Sequence, residues 1–263
     1  MNARYLLIFL LGTVLHGNAQ VDSVRLNSCC LHHCFRDTRD LVTAPARWTG
    51  EDWLKAAVFT GATILVTTVD EPVRHFFQAH RTPFTNQLSR YGFEPMGNWY
   101  AVAAIGSFIG IGEISGRPRS RSTGYLAAES FLISGLLVRV PKLLAGRQRP
   151  DAWPPPTPYS FKGPFRGSSF PSGHTAAAFS VASVISWQYK DKKWVPMLAY
   201  SLAGLAGISR IHDNRHWASD VLAGAVVGTI TGTFICKHHQ RKKITLLPVI
   251  SEDTWGIRLL LTR

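Results

Sequence analysis

From residue 51 to residue 237 the chain alternates apolar runs with polar stretches marked by glycine or proline, and this alternation constrains the fold more than any other feature. The runs and their punctuation predict six helices, over residues 52–69, 98–114, 124–145, 174–189, 194–209 and 216–236. Small residues recur along them at Gly106, Gly110, Gly204, Gly207, Gly224 and Gly228, including two Gly-x3-Gly spacings that let helices approach closely. The expected architecture is therefore an all-α, six-helix bundle.

Length and composition fit one domain of moderate size. The chain has 263 residues, 46% of them hydrophobic and 17% charged, enough apolar material for a sizeable core. Its formal net charge of +13 comes from 29 basic and 16 acidic residues. Such a balance suits an anionic partner. The cations are scattered among apolar runs, however, with no recognition helix or zinc-finger spacing, which argues against nucleic acid. Anionic lipid headgroups or phosphate esters fit better.

Three short blocks carry chemistry: Lys142-x6-Arg149-Pro150, then Pro171-Ser172-Gly173-His174, then Ser209-Arg210-x5-His216-x3-Asp220. Lys142 and Arg149 lie seven residues apart, so two helical turns would put both cations on one face before Pro150 ends any helix. Gly173 permits close backbone approach to an oxyanion, and His174 opens the run 174–178, where the N–H groups of a helix N-terminus favour negative charge. His216 and Asp220 are four apart, so on a helix the carboxylate can hold one imidazole nitrogen and fix the tautomer. Fixed cations and a Ser-Gly turn can cradle a phosphate while one histidine attacks phosphorus and another protonates the departing oxygen. The residues read as a phosphate-ester hydrolase.

In these three blocks, taken in order from Lys142 to Asp220, the chain resembles the type 2 phosphatidic acid phosphatase (PAP2) superfamily, which also contains bacterial class A acid phosphatases, glucose-6-phosphatase and vanadium haloperoxidases. Each block alone is weak; all three together are specific, and no signature position departs from the pattern. The resemblance implies that His216 is the nucleophile forming a phosphohistidine, that Asp220 orients it, and that His174 is the acid for the leaving group and then the base for water. It also implies that Lys142, Arg149, Ser172, Gly173 and Arg210 bind phosphate, with no metal ligand and no cofactor. The expected substrate is a phosphate monoester or diphosphate of a lipid or isoprenoid. A soluble class A-like acid phosphatase and a vanadium-dependent haloperoxidase are the alternatives.

The other histidines lack this context. His212, four residues before His216, is a rival nucleophile by composition but lies outside the block and is read as a supporting or loop residue. His32, His33, His75, His80, His238 and His239 are read as surface or tail histidines.

Residues 1–19 have the form of an export signal: Arg4, an apolar stretch over 5–15, and Gly17-Asn18-Ala19 before Gln20. An N-terminal extension over 20–50 would follow, then a helical domain over 51–237 and a tail over 238–263. The cluster Cys29-Cys30-Leu31-His32-His33-Cys34 has no fixed zinc spacing and is left unassigned between disulfide and thiol. Residues 244–263 suggest a hairpin or irregular extension.

Most apolar runs span about 14–18 residues, short of the roughly 20 that a bilayer core requires, and Glu129 interrupts the third. Against this, Trp53, Trp99, Trp187, Trp194 and Trp217 lie near segment ends, as an interfacial aromatic belt would place them. The loops with Arg117, Arg119 and Arg121 and with Lys190, Lys192 and Lys193 fall opposite the motif loops, as the positive-inside rule requires if the motifs face outward. The expectation is a membrane-embedded bundle in a bacterial cell envelope, its site facing the periplasm; a soluble periplasmic protein is the alternative. Six crossings conflict with a cleaved signal, and the first helix is the one read as lying in the interface.

Overall fold

The computed structural model describes residues 34–239 and the backbone alone of 29–33 and of two further strands, 243–251 and 254–262. The signal-peptide reading of residues 1–19 lies outside the described residues. Ten α-helices are described: α1 Cys29–Val42, α2 Gly50–Thr67, α3 Asp70–Ala79, α4 Pro83–Gln87, α5 Trp99–Ile114, α6 Pro118–Leu137, α7 Arg139–Ala145, α8 Gly173–Gln188, α9 Trp194–His212 and α10 Ala218–His239. A π-helical turn (Leu88–Phe93) and a 3-10 turn (Glu94–Gly97) join α4 to α5. Strands β1 (Lys243–Ser251) and β2 (Thr254–Thr262) form the antiparallel hairpin expected in the tail.

All six expected helices are present, one of them divided. The run 124–145 splits into α6 and α7 at Val138, because Pro141 has no N–H to give the carbonyl of Leu137 and its ring crowds that carbonyl. Helices α1, α3 and α4 were not expected. Local chemistry starts the helices elsewhere: Thr49 and Asp52 form a reciprocal capping box on α2, and Ser172 caps α8. Gly146, in the left-handed region at φ 58°, ends α7 and turns the chain back into the protein.

Helix α8 is the centre of the bundle, packed between α6, α9 and α10. Its inward residues are small, including Ala176, Ala177, Ala178 and Ala182. On α10, Gly224, Gly228 and Gly232 form an i, i+4 ridge, and a Cβ on any of them would collide with Ser172, Ala176 or Ser180 backbone carbonyls on α8. Of the two Gly-x3-Gly spacings, 224/228 is thus a helix seam, whereas Gly106 and Gly110 face open space. Filling the seam with Gly228→Leu would overpack it by about 1–3 kcal/mol or more. Below the seam, Val184 and Ile235 are fully buried in a cluster with Ile133 and Leu126, worth about 1.5–3 kcal/mol for each large side chain.

The chain direction sorts the loops. Helices α6 and α9 end, and α8 and α10 begin, at the end of the bundle that carries the motif loops; residues 115–117 and 189–193 lie at the other. Large apolar side chains remain exposed on the outer faces, among them Leu54, Val58, Ile64 and Leu65 on α2, Trp99 and Ile114 on α5, Leu132 and Leu136 on α6, and Met197 on α9. Among the described residues, α10 is the one helix long and apolar enough to cross a bilayer by length and composition; α5 is apolar and shorter.

Candidate active site

His216 precedes α10, and its Nδ1 lies 3.5 Å from Oδ2 of Asp220 in the first turn of that helix. The spacing of four expected from the sequence does join them, although the ring itself sits just outside the helix. Asp220 also accepts a hydrogen bond from the backbone N–H of Trp217 (3.0 Å), so it caps α10 while facing the imidazole. Both side chains are buried. With Nδ1 turned to the carboxylate, Nε2 is the nitrogen left to act on a substrate. Burial pushes the His216 pKa down to about 4, outweighing Asp220, with the nearby Lys142 and Arg149 charges adding to the depression. The ring is therefore neutral at ordinary pH, the form in which Nε2 holds a lone pair.

Asp220 is fixed by residues the sequence reading missed. Arg147, 1% exposed, donates from Nη1 to Asp220 Oδ1 (2.6 Å) and to Ser219 Oγ (2.7 Å), and from Nη2 to Asp70 Oδ2 (2.7 Å). Its Nε and Nη2 also donate to the Pro158 carbonyl, and the guanidinium lies 5.6 Å from the Trp217 ring centroid. Asp70 accepts from Ser219 N–H (2.8 Å) and Oγ (2.6 Å), and the Ser169 hydroxyl donates to Asp220 Oδ2. A buried carboxylate pair is thereby bridged by one two-armed guanidinium, the geometry that lets buried charges persist. Arg147 stands between Lys142 and Arg149 and was legible by proximity to the first block; Asp70 had no sequence signal.

Lys142 lies on the short helix α7 and donates to the Ser168 carbonyl (2.9 Å). Desolvation, then repulsion from Arg149, lowers its pKa to about 8. Arg149 follows Arg147 in the loop, and its Nε is buried and makes no hydrogen bond among the described residues. Electrostatically the cations converge: Lys142 and Arg149 both act on His216, and burial, then Arg210 and Lys142, lowers the His174 pKa from its ordinary value, with Glu94 opposing them.

Ser172 is fully buried as the N-cap of α8; its Oγ accepts from the Thr175 hydroxyl (2.9 Å), and its N–H donates to the Asp220 carbonyl (3.0 Å), tying the α8 N-terminus to the first turn of α10. Gly173 then opens α8, and a Cβ there would meet only Val138, at 3.7 Å, so the helix entrance is uncrowded. His174 follows in the first turn. Its Nε2 lies 3.2 Å from Glu94 Oε1, and the same oxygen lies 3.3 Å from Arg210 Nη1. Arg210 makes a second pair with Asp213 (2.6 Å), whose other oxygen accepts from Ser89 Oγ (2.8 Å). The Glu94 turn sits close because Gly97 lies flush on α8: a Cβ would come within 2.6 Å of the His174 carbonyl. Glu94 was also missed.

His212 takes a different place. It is buried at the end of α9, with Nε2 3.1 Å from Asn86 Oδ1 and its carbonyl accepting from Gln78, and it supports the loop before His216. His75 pairs with Glu71 and His80 with the Phe76 carbonyl, both at the surface. The tail reading of His238 and His239 is corrected: both are largely buried against Asp37 of α1. Neither position carries a periodic signal, because their partners lie on helices about a hundred residues or more away.

The family model described as the PAP2 superfamily matches residues 124–244. Lipid A 1-phosphatase of Porphyromonas gingivalis is 32% identical over 186 residues, 69% of this chain but 33% of that protein, so the chain spans about a third of that relative. Phosphatidylglycerophosphatase B of Bacillus subtilis is 31% identical over 185 residues, 67% of this chain and 85% of the relative. Undecaprenyl-diphosphatase of Sulfolobus acidocaldarius is 30% identical over 142 residues, 54% of this chain and 63% of that protein. In fold, the chain is similar to the transmembrane PAP2 type phosphatidylglycerolphosphate phosphatase from Bacillus subtilis, with a TM-score of 0.53 and 24% identity over 81% of this chain and 97% of that one. With the three signature blocks brought to one end of a helical bundle, and a relative matched over most of its length, the chain belongs to the PAP2 superfamily.

Proposed function

We propose that this chain is a phosphatase that hydrolyses the phosphate monoester or diphosphate of a membrane lipid or isoprenoid, through a phosphohistidine on His216 and without a catalytic metal. The observation that carries the reading is the His216–Asp220 contact at Nδ1, which leaves a neutral Nε2 beside Lys142 and Arg149. In the first step Nε2 forms a bond to phosphorus as the P–O bond to the leaving group breaks. The leaving oxygen takes a proton from His174, and Lys142, Arg149 and Arg210 balance charge on the phosphoryl oxygens, with Ser172 and the α8 N-terminus adding donors. In the second step His174, now neutral, takes a proton from water as the water oxygen bonds to phosphorus and the P–N bond breaks. Phosphate leaves and His216 is regenerated. The cations supply in place what a bound metal would otherwise supply.

The lipid part of the reading rests on two observations. Exposed apolar side chains ring the outer faces of the helices, more than isolated surface residues account for, which fits a bundle solvated by acyl chains. The loop between the first two blocks exposes Trp153 (89%), Tyr159, Phe161 and Phe165 (78%) beside Lys162 and Arg166, a composition suited to the headgroup level of a bilayer. The matched relatives act on phosphorylated lipids or isoprenoid diphosphates by name. The basic loops at the opposite end favour a site facing the periplasm. A panel assay of the purified full chain in detergent, comparing phosphatidic acid, phosphatidylglycerol phosphate, undecaprenyl diphosphate, lipid A and water-soluble esters, tests the reading. The expected result is a preference for a lipid substrate; equal or better turnover of soluble esters favours an acid-phosphatase role instead.

A further inference from the structure

Asp37 of α1, Glu129 of α6 and His239 of α10 meet at the far end of the bundle from His216, about 28 Å along α10 from Asp220 at 1.5 Å per residue. One ligand atom from each lies within 4.8 Å of the other two. His239 Nε2 is 3.1 Å from Asp37 Oδ2 and 3.1 Å from Glu129 Oε2, and His238 Nε2 is 3.6 Å from Asp37 Oδ1. Asp37 is fully buried and Glu129 nearly so. Among the described residues neither Asp37 oxygen nor Glu129 Oε1 accepts a hydrogen bond of normal geometry, and the remaining cation, Arg36, stands off at 3.6 Å.

We propose that Asp37, Glu129 and His239 bind a divalent transition-metal ion of the zinc class that pins α1 to the bundle. An imidazole nitrogen presents a single proton or lone pair along one direction, so it cannot satisfy two carboxylates with full hydrogen bonds. A cation placed among the three atoms satisfies them all. Two carboxylate oxygens and one imidazole nitrogen, with water completing the shell, form a donor set of Zn2+ or its neighbours, whereas Mg2+ and Ca2+ prefer oxygen alone. The ion would neutralise two buried carboxylates, a configuration that is otherwise costly. Its role is structural: α1 rests on the bundle through Cys34 and Leu41 near Ile235 and Cys236, and the ion adds a bond from α1 to both α6 and α10.

The test uses the full chain, purified in detergent without a polyhistidine tag and stripped with chelator. Zn2+ should be retained at one equivalent per chain through gel filtration and should raise the melting temperature. The Asp37→Asn/Glu129→Gln double variant should lose both effects, with affinity down at least about 10-fold, while a His32→Ala/His33→Ala chain should keep them. Co2+ titrated into the unmodified chain gives a readout that needs no variant: weak visible bands of nitrogen and oxygen ligation are expected. An intense thiolate charge-transfer band would place the ion on a cysteine instead and overturn the proposal. So would retention lost only in the His32/His33 chain, or no retention above that of the double variant, which would leave the cluster as a buried ion pair. Catalysis of a soluble ester should be unchanged by stripping at a temperature below melting, so the outcome is independent of the proposed chemistry.

Discussion

Arg147 Nη1 lies 2.6 Å from Asp220 Oδ1, so the carboxylate that faces the His216 ring is itself held by a buried guanidinium. Replacing Arg147 by Met would leave Asp70 and Asp220 buried without their shared cation, a loss of about 3–5 kcal/mol for a broken buried pair. Arg147→Met should lower the melting temperature markedly and, in protein that still folds, lower kcat more than it raises KM. Arg147→Lys should recover part of the stability but less of the activity, since one ammonium cannot span both carboxylates. Unchanged stability and kcat in Arg147→Met would show that Asp220 needs no such support.

His174 and Glu94 should separate substrates by leaving group. His174→Ala should slow esters with poor leaving groups far more than a reactive aryl ester, by about 100-fold or more on the former, because acid catalysis matters little when the departing oxygen is already a weak base. Glu94→Gln should act in the same direction and more weakly, through the His174 ring it faces at 3.2 Å. Parallel losses on both esters would assign these residues to binding.

For a reactive soluble ester, which needs little acid catalysis from His174, the pH dependence follows from His216 and Lys142; for an ester with a poor leaving group the alkaline limb should begin lower, because burial lowers the His174 pKa. His216, with its pKa near 4, must be neutral to attack, so kcat/KM for a reactive soluble ester should fall as pH drops through about 4. Lys142, with its pKa near 8, must be charged to hold phosphate, so the alkaline limb should begin near pH 8. Lys142→Arg should carry that limb to higher pH, because guanidinium stays charged. An alkaline limb that does not move in Lys142→Arg would assign it to another group.

The exposed loop aromatics bear on the lipid. Trp153→Ala with Phe161→Ala should weaken turnover of a long-chain lipid phosphate in mixed micelles while leaving a short soluble ester nearly unaffected. Equal losses on both would indicate structural damage instead, and Phe161 warns of that outcome, since the Arg147 guanidinium lies 5.5 Å from its ring centroid.

Local spacing made part of the site legible. His216 and Asp220, and the run from Ser172 to His174, are short blocks whose geometry the backbone alone dictates, and their meeting depends on the α8–α10 glycine seam that Gly224 and Gly228 foreshadow. What was missed joins across the chain. Asp70 bonds Ser219 from 149 residues away, and Glu94 faces Arg210 from 116, distances at which no periodicity reports a contact. The break at Pro141 was readable from its missing N–H. Helix α1 was not, because Cys29–Val42 is polar along much of its length and its burial is decided by Asp37 meeting residues of α6 and α10.

Rapid quench of the wild-type chain with a reactive aryl phosphate, followed by mass spectrometry under basic conditions, bears most directly on the central claim. The account predicts an acid-labile, base-stable phosphoryl group on His216 that forms within the first turnover and decays as phosphate is released. A full burst of the leaving alcohol with no phosphoryl group on His216, or with one on His174 or His212 instead, would contradict it.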